Sequence, residues 1–384
     1  VQELNQQIVY WGAKTAFSHP LGKINAQYSI SNEGFTQHVE ERNSMLSFNY
    51  VQYTTKVAVG LYKQNERLSW NISLPLALLA QSFDKKKRQY IEFEPYLSLT
   101  YKPSARWSMS STYSYSEQVK DGLELCQSPL FTSYLVQKSG NGNFCNMKIH
   151  TVNFHVSYKN VRYGFFTSLR SGYNYCPNSM LYSHQLDGII YHSIATAHSR
   201  GVRTFYASGK LTKDFGSKMS VGIDAYISQS HSYSLWSDNP VPNRFRNVNA
   251  SVSLSYRPCT WFSVEEKSYL FHTESKQGQV GDLTAYNQST NTFNHTLDLF
   301  VTPKKWVLQW KNEFYHSNDQ SSSFNFFSDM VISYKLKNSE IFLFLNNIMG
   351  NNTYERKIIK YNYITHTVHR LRPREFLIKY SFAL

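Results

Sequence analysis

The sequence predicts an all-β chain, a transmembrane antiparallel β-barrel. Three observations carry that expectation. The terminal stretch Leu371–Leu384 alternates to its last residue, with Phe376, Ile378, Tyr380, Phe382 and Leu384 on one face and Glu375, Leu377, Lys379, Ser381 and Ala383 on the other. A period of two is a strand, and a greasy-faced strand at the terminus is what closes an outer-membrane barrel. Second, the 384 residues include 29 Tyr, 25 Phe and 7 Trp, 16% aromatic in all, yet mean hydropathy is only −0.46. Barrels combine the two because lipid-facing apolar residues alternate with polar lumen residues while aromatics gather in girdles. Third, the connections are short at one end of the strands and long at the other.

The same alternation runs through the chain. Ile91, Phe93, Pro95, Leu97, Leu99 and Tyr101 share a face opposite Glu92, Glu94, Tyr96, Ser98 and Thr100. Trp107, Met109, Tyr113 and Tyr115 oppose a row of serines and Thr112, and Val152, Phe154, Val156 and Tyr158 repeat the pattern. So do Met219, Val221, Ile223, Ala225 and Ile227, and then Trp306, Leu308, Trp310 and Phe314 against Val307, Gln309, Lys311 and Glu313. Charges and serines on the second face suit a wet lumen rather than a sandwich core.

Short connections recur as strand, proline, tryptophan: Tyr101-Lys102-Pro103 to Trp107, Tyr256-Arg257-Pro258 to Trp261, and Val301-Thr302-Pro303 to Trp306. Proline lacks the N–H a ladder needs and sits at strand ends. Tryptophan sits at the membrane interface. Trp107, Trp261 and Trp306 are therefore girdle candidates at periplasmic turns, joined by Tyr380, Phe382 and Leu384 of the closing strand as girdle and assembly-signal candidates. The long polar connections are Val119–Asn146, Asn174–Arg200, Leu235–Arg246, Glu274–Thr290 and Asn351–Arg370.

The predicted strands are 6–18, 23–33, 46–62, 67–82, 88–101, 107–118, 147–158, 163–173, 203–213, 217–233, 247–257, 261–273, 292–302, 305–317, 322–336, 340–350 and 371–384, about 17 in all, with Met180–Ala197 able to add strand. With short turns inside and long loops outside, both the last and the first strand descend to the periplasm. A complete single-chain bacterial barrel has an even count. The expectation is one unit, 1–384, forming the C-terminal portion of a barrel of about 22 strands, with the plug and about five leading strands absent.

No run of about 18 apolar residues is present, so a transmembrane helix is not expected. The start VQELNQQIVYWGAK has no signal-peptide pattern. The net charge of +14 implies attraction to anionic lipid or an anionic solute, or plain solvated turns such as Asp84–Arg88; no nucleic-acid-binding motif accompanies it. Four cysteines occur without a CxxC pair. Cys126 and Cys145 fall in one predicted loop and are the candidate disulfide in an oxidising compartment, with two unpaired thiols as the alternative.

Thirteen histidines form no ligand pattern. His150 and His155 fall on opposite faces of one strand, and His192 and His198 lie about 20 Å apart if extended. No HExxH, P-loop, GxSxG or GxGxxG motif occurs, and no cofactor or metal is expected. Ser183, His184 and Asp187 lie close in sequence near a predicted rim, a chance cluster more readily than a catalytic one. Glu92, Glu94, Asp224, Asp298 and Asp329 are positions that line a lumen and thus any solute path. The outer loops GNGNF (140–144), SDNPVPNRF (237–245) and GQVGDLTAYNQST (278–290) are polar and suit contact with a solute or a surface lipoprotein.

LNNIMGNN at Leu345–Asn352, a polar loop, and then Arg372-Pro373-Arg374 opening the closing strand resemble the end of TonB-dependent receptors of the Bacteroidota, including relatives with a carboxypeptidase-regulatory-like domain. The resemblance is clearest from Tyr90 to Leu384. It implies a 22-stranded barrel with an N-terminal plug, energised through TonB and set in outer-membrane lipid and lipopolysaccharide. No plug or TonB-contacting segment occurs in this sequence, and Leu384 stands where a final aromatic is usual, with Phe382 nearest. The expected function is outer-membrane import of a nutrient too large for porins. The alternatives are a structural or assembly subunit with a blocked barrel, distinguished by the lack of a TonB-contacting segment upstream, and a self-contained passive porin of about 16 to 18 strands. An enzyme is the least expected reading.

Overall fold

The computed structural model describes all residues except 1–3, 42–46, 120–121, 134, 237–238, 280–284, 319–322, 361–362 and 383–384. The strands are β1 (Leu4–Leu21), β2 (Ile24–Glu41), β3 (Ser47–Gln64), β4 (Leu68–Phe83), β5 (Lys86–Phe93), β6 (Tyr96–Ser104), β7 (Trp107–Val119), β8 (Leu130–Ser133), β9 (Val136–Ser139), β10 (Asn146–Asn160), β11 (Phe165–Asp187), β12 (Ile190–Phe215), β13 (Met219–Trp236), β14 (Asn239–Cys259), β15 (Phe262–Gln277), β16 (Tyr286–Val301), β17 (Trp306–Ser317), β18 (Ser323–Lys335), β19 (Ser339–Asn346), β20 (Thr353–Lys360), β21 (Tyr363–Arg370) and β22 (Glu375–Phe382). One short helix, α1, spans Gly122–Leu125.

All but β20 and β21 belong to one sheet of twenty strands. Each successive crossing pairs antiparallel with the one before, from β1–β2 to β19–β22. β5 and β6 are halves of one crossing: Leu76↔Phe93 and Ser73↔Tyr96 keep the same register against β4. The ladder breaks between them, where the register sets Pro75 opposite Glu94 and Pro95 opposite Leu74 and neither proline has an N–H to give. Removing that double count and the loop strands β8 and β9 leaves seventeen crossings, one for each predicted strand. β1 and β22 are the two edges. Both run toward the short-turn end, and no pairing joins them among the described residues.

The two faces follow the sequence. On β4, Ile72, Leu74, Leu76 and Leu78 are exposed outward while Ala77, Leu79, Gln81 and Phe83 are buried on the inner side. A continuous outward apolar band with a polar inner face, on strands whose backbone groups are paired within the sheet, is the wall of an integral outer-membrane barrel. The short turns mark the periplasmic end. There Gly22 (φ +64) and Gly216 (φ +66) supply the left-handed backbone tight turns need. One connection at the far end is also tight: Asp84-Lys85 joins β4 to β5, with Asp84 at φ 49.

The long connections differ from expectation. Asn174–Arg200 is not a loop: β11 and β12 continue as a hairpin to its tip at Gly188, with register shifts beside Ser179. β13 and β14 likewise pair up to Trp236↔Asn239, β15 and β16 up to Gln277↔Tyr286, and Asn351–Arg370 carries the separate β20–β21 hairpin. Above the lipid band no lipid faces the strands, so ladders persist there without the alternation that reveals strands in sequence.

Candidate functional site: the lumen wall and its cap

The inner face of β2–β4 near the extracellular end is covered by protein. Phe48, Tyr50, Val39 and Phe83 point inward and pack with Leu125, Cys126 and Leu130 from the segment between β7 and β10; Tyr50 and Leu125 are each 1% exposed. The Gly122 N–H donates to Gln37 Oε1 at 3.0 Å, pinning α1 to β2. Gly140 N–H donates to Cys126 O at 2.5 Å and Gly142 N–H to Leu125 O at 3.1 Å, closing the segment on itself. A Cβ at Gly140 would lie 2.2 Å from Glu124 O, so only glycine fits. GNGNF is thus a packed element of the cap and not a free surface loop.

The cap reaches the other wall. β9 pairs in parallel with the upper part of β12, Tyr191↔Val136 to Ile194↔Ser139, and Tyr182 OH donates to Glu124 Oε2 at 2.8 Å. Met180, Leu181, Ala195, Leu235 and Val241 are buried where this hairpin meets β13 and β14. Lys86 Nζ donates to Gly142 O at 2.6 Å and Arg88 Nη1 to Phe144 O at 3.4 Å, tying the returning strand to β5. The mouth of the lumen therefore carries a folded cap built from 122–146 and the β11–β12 tip.

Below the cap the inner wall is polar. Lys56 pairs with Glu94 at 2.5 Å, Glu94 Oε1 accepts from the Glu117 N–H, and Glu92 is 3% exposed beside them. Facing β11–β15, a groove of about 470 Å³ is lined by Arg170, Lys210, Asp224, Tyr226, Asn249 and Tyr269 among others. Lys210 and Asp224 stand 3.8 Å apart, and the Tyr269 and Phe271 rings stack at 5.9 Å. Flat aromatic faces, a cation pair and a carboxylate offer stacking and charged hydrogen bonds to a polar solute. Of the lumen carboxylates expected to line a path, Glu92, Glu94, Asp224, Asp298 and Asp329 all lie on the inner face of the wall; only Asp224 enters this groove.

The girdle candidates occupy the outer periplasmic rim. Trp107 packs at a tilt against Tyr158 at 4.8 Å and Trp306 against Tyr334 at 4.6 Å, each across a directly paired position; Trp261 lies 6.1 Å from Phe262. Trp306 and Trp261 are about half exposed, and Tyr380 and Phe382 more than half, on the outward face of β22. Leu384 lies outside the described residues. The Asn-rich end of β19 and the Arg-Pro-Arg segment interlock: Asn347 Nδ2 donates to the Arg372 and Asn351 carbonyls at 2.9 and 2.8 Å, and Arg374 Nη2 to Met349 O at 3.2 Å.

No disulfide joins Cys126 to Cys145. Cys126 Sγ sits in the apolar cluster, 3.7 Å from Ser128 O, and burial raises its pKa, which disfavours the thiolate that exchange requires. Ser183 and His184 are neighbours on β11 and project to opposite faces, and Asp187 is exposed at the hairpin tip, so the three do not converge. Among the described residues no group of three His, Cys, Asp or Glu is arranged to hold a metal. The sequence reading missed the cap, because its cohesion depends on residues far apart in the chain. Phe48 and Tyr50 were the available signal, aromatic residues on a face expected to be wet.

No family model matches the chain, and no curated protein does. Solved structures similar to it include the FrpB iron transporter from Neisseria meningitidis, at 8% identity over 98% of this chain and 63% of that one, TM-score 0.47. The copper transporter OprC is similar at 10% identity over 97% and 65%, TM-score 0.46. OmpT, an outer membrane protein of Vibrio cholerae, is similar at 8% identity over 84% and 91%, TM-score 0.32. The chain spans less than two thirds of the length of the first two.

Proposed function

We propose that this chain forms part of the barrel wall of a TonB-dependent receptor-type outer-membrane importer and that it carries solute rather than catalysing a reaction. The observation that carries the reading is the direction of the two edges. β1 and β22 both descend, so they cannot pair antiparallel with each other, and closure in antiparallel register takes an odd number of further strands. That favours a barrel larger than a self-contained porin. The cap over the lumen supports the same reading, since a passive pore needs an open mouth. The aromatic and charged groove beneath it is chemistry for holding a polar solute in transit. TonB, acting on a plug, is the proposed source of energy, and lipopolysaccharide and a surface lipoprotein are the proposed neighbours outside.

The test is swelling of liposomes containing the whole protein purified from outer membranes, with stachyose as the permeant. No swelling is expected; swelling at porin rates would favour the passive reading. Photo-crosslinking to TonB in intact cells separates an importer from a permanently blocked structural subunit, which would yield no TonB adduct.

A further inference from the structure

Above its last apolar outward residues, the wall of β12–β14 turns cationic. Arg203 stands one outward position above Phe205 on β12, and Arg246 and then Arg244 stand above Val248 on β14. Arg203 pairs directly with His231, His231 with Arg244, and Arg246 with Gln229. On β13 the apolar outward run from Met219 to Ile227 rises about 21 Å at the usual rise and tilt of barrel strands. A hydrocarbon band is about 25 Å tall, so the arginines begin where acyl chains give way to lipid head groups. Tyr175, opposite Arg203 on β11, is 39% exposed on the same face, the place of an aromatic at the membrane–water boundary.

The chain does not balance this row among the described residues. Like charges set opposite one another destabilise a sheet, yet Arg203 and Arg244 flank His231 and no carboxylate pairs with either. Glu274 lies across from Arg246, but its carboxylate is held by Lys276 at 2.7 Å. Nor do the arginines of β14 reach out into water. The Nε atoms of Arg244 and Arg246 are buried and donate to no acceptor. Arg244 Nη2 donates to Gln229 Oε1 at 2.9 Å, and Gln229 Nε2 lies 2.7 Å from His231 Nε2. The stems therefore lie along the wall and keep their guanidinium ends close to it, with Arg203 exposed beside them. Arginine forks fixed in this way suit paired bonds to phosphate oxygens, since less freedom is lost on binding.

We propose that Arg203, Arg244 and Arg246 form a binding site for the phosphorylated head group of lipopolysaccharide in the outer leaflet. Charge and position argue for it together. The row faces the membrane and not the lumen, at the extracellular end, where the anionic lipid carries its phosphates on a sugar pair at head-group height. Phosphate oxygens accept from the guanidinium groups and cancel the repulsion along the row. The acyl chains of the same molecule lie on the exposed Phe205, Ile223 and Val252 below, a contact that free phosphate cannot make. The site locates the lipopolysaccharide proposed above as a neighbour. It rests on the outer-membrane placement alone, so a failed test of import leaves it standing.

The test uses the whole protein purified from outer membranes, stripped of lipid in detergent and titrated under native mass spectrometry. Deep-rough lipopolysaccharide is expected to bind the wild type, and the same lipid freed of its phosphates to bind about tenfold or more weakly. R203Q/R244Q/R246Q should lose about tenfold for each arginine removed. K85Q/K87Q, at the β4–β5 turn of the same end, should bind as the wild type does. Both variants are expected to keep the heat-shifted gel mobility of a folded barrel. Equal binding of the dephosphorylated lipid, of phosphatidylglycerol or of inorganic phosphate would overturn the proposal. So would wild-type affinity in the triple variant, an equal loss in K85Q/K87Q, or a protein retained on this face in place of lipid. The comparison of lipids on the wild type needs no variant, so it decides the matter even where the triple variant does not fold.

Discussion

Single residues set the local geometry of this wall through contacts that alternation does not encode. Trp11, Gly34 and Tyr53 lie directly opposite one another on β1, β2 and β3. The Trp11 ring lies over Gly34 toward Tyr53, 6.1 Å away, and a Cβ at Gly34 would meet Trp11 Nε1 at 2.2 Å. The inner face repeats the device: Tyr206 crosses Gly172 to donate to Asn153 Oδ1 at 2.5 Å. A glycine covered by a neighbouring ring keeps the strand paired without its own side chain. Gly34→Val is expected to expel Trp11 and cost about 1–3 kcal/mol, read as a lower temperature for the gel-mobility shift and a changed tryptophan emission; an unchanged temperature would refute the packing role. His184 makes a second residue-scale prediction. It stands on the hairpin above the lipid band, its ring stacked on Tyr191 at 5.2 Å and its Nδ1 buried without a hydrogen-bond partner. Burial pushes its pKa down from 6.5 to about 4. The folded hairpin thus holds the neutral ring, and below pH 6.5 the unfolded hairpin binds the extra proton. The stability this contributes is complete above pH 6.5 and lost as pH falls toward 4, about 3 kcal/mol across the window. Amide exchange in 180–191 should rise steeply from pH 6.5 to 4.5 after correction for intrinsic rates, and His184→Phe should flatten that rise. A wild-type hairpin equally protected at both values would contradict this account.

At the scale of elements, the cap is held by a small apolar cluster and a few hydrogen bonds, whereas the wall beneath it is held by continuous ladders. The two should therefore separate energetically. Leu125→Ala removes a side chain that is 1% exposed between Phe48 and Tyr50, and such truncations cost about 2–4 kcal/mol. The expected result is faster tryptic cleavage after Lys138 with no change in the barrel's gel-mobility shift; unaltered cleavage would mean that the segment is held by something other than this cluster. This division also explains what the sequence disclosed. Every crossing was legible, because lipid on one side and water on the other impose a period of two, and Pro-to-Trp spacing marked the periplasmic turns. The hairpins above the membrane were read as loops because Tyr173, Asn174, Tyr175 and their neighbours are amphipathic on both faces. The cap and the groove depend on contacts between segments far apart in the chain, for which no local period exists.

For the whole molecule the governing constraint is that backbone groups in hydrocarbon must be paired, at several kcal/mol for each one left open. β1 spans eighteen residues and is hydrogen-bonded on one side, and β22 likewise pairs only with β19, among the described residues. Exposure agrees: on β22 both the outward Ile378 and the inward Leu377 are more than half exposed, as are the outward Phe17 and the inward Tyr10 on β1. If other strands fill the interval, β1 and β22 stay apart in the membrane. If the wall is instead a self-contained porin, they must lie side by side in parallel register, about 4.8 Å apart. Cysteines placed at Thr15 and Ile378, both outward and near mid-membrane, distinguish the two, because a disulfide forms only when the Cα atoms come within about 7 Å. With the native cysteines replaced by serine, the double variant in native membranes is expected to give no intramolecular cross-link under oxidation, although each single cysteine should label with a lipid-soluble maleimide. Efficient cross-linking would show that seventeen strands close on themselves. The lumen would then be too narrow for a plug beside the cap, and energised import would give way to the structural reading, a barrel whose lumen the cap keeps blocked.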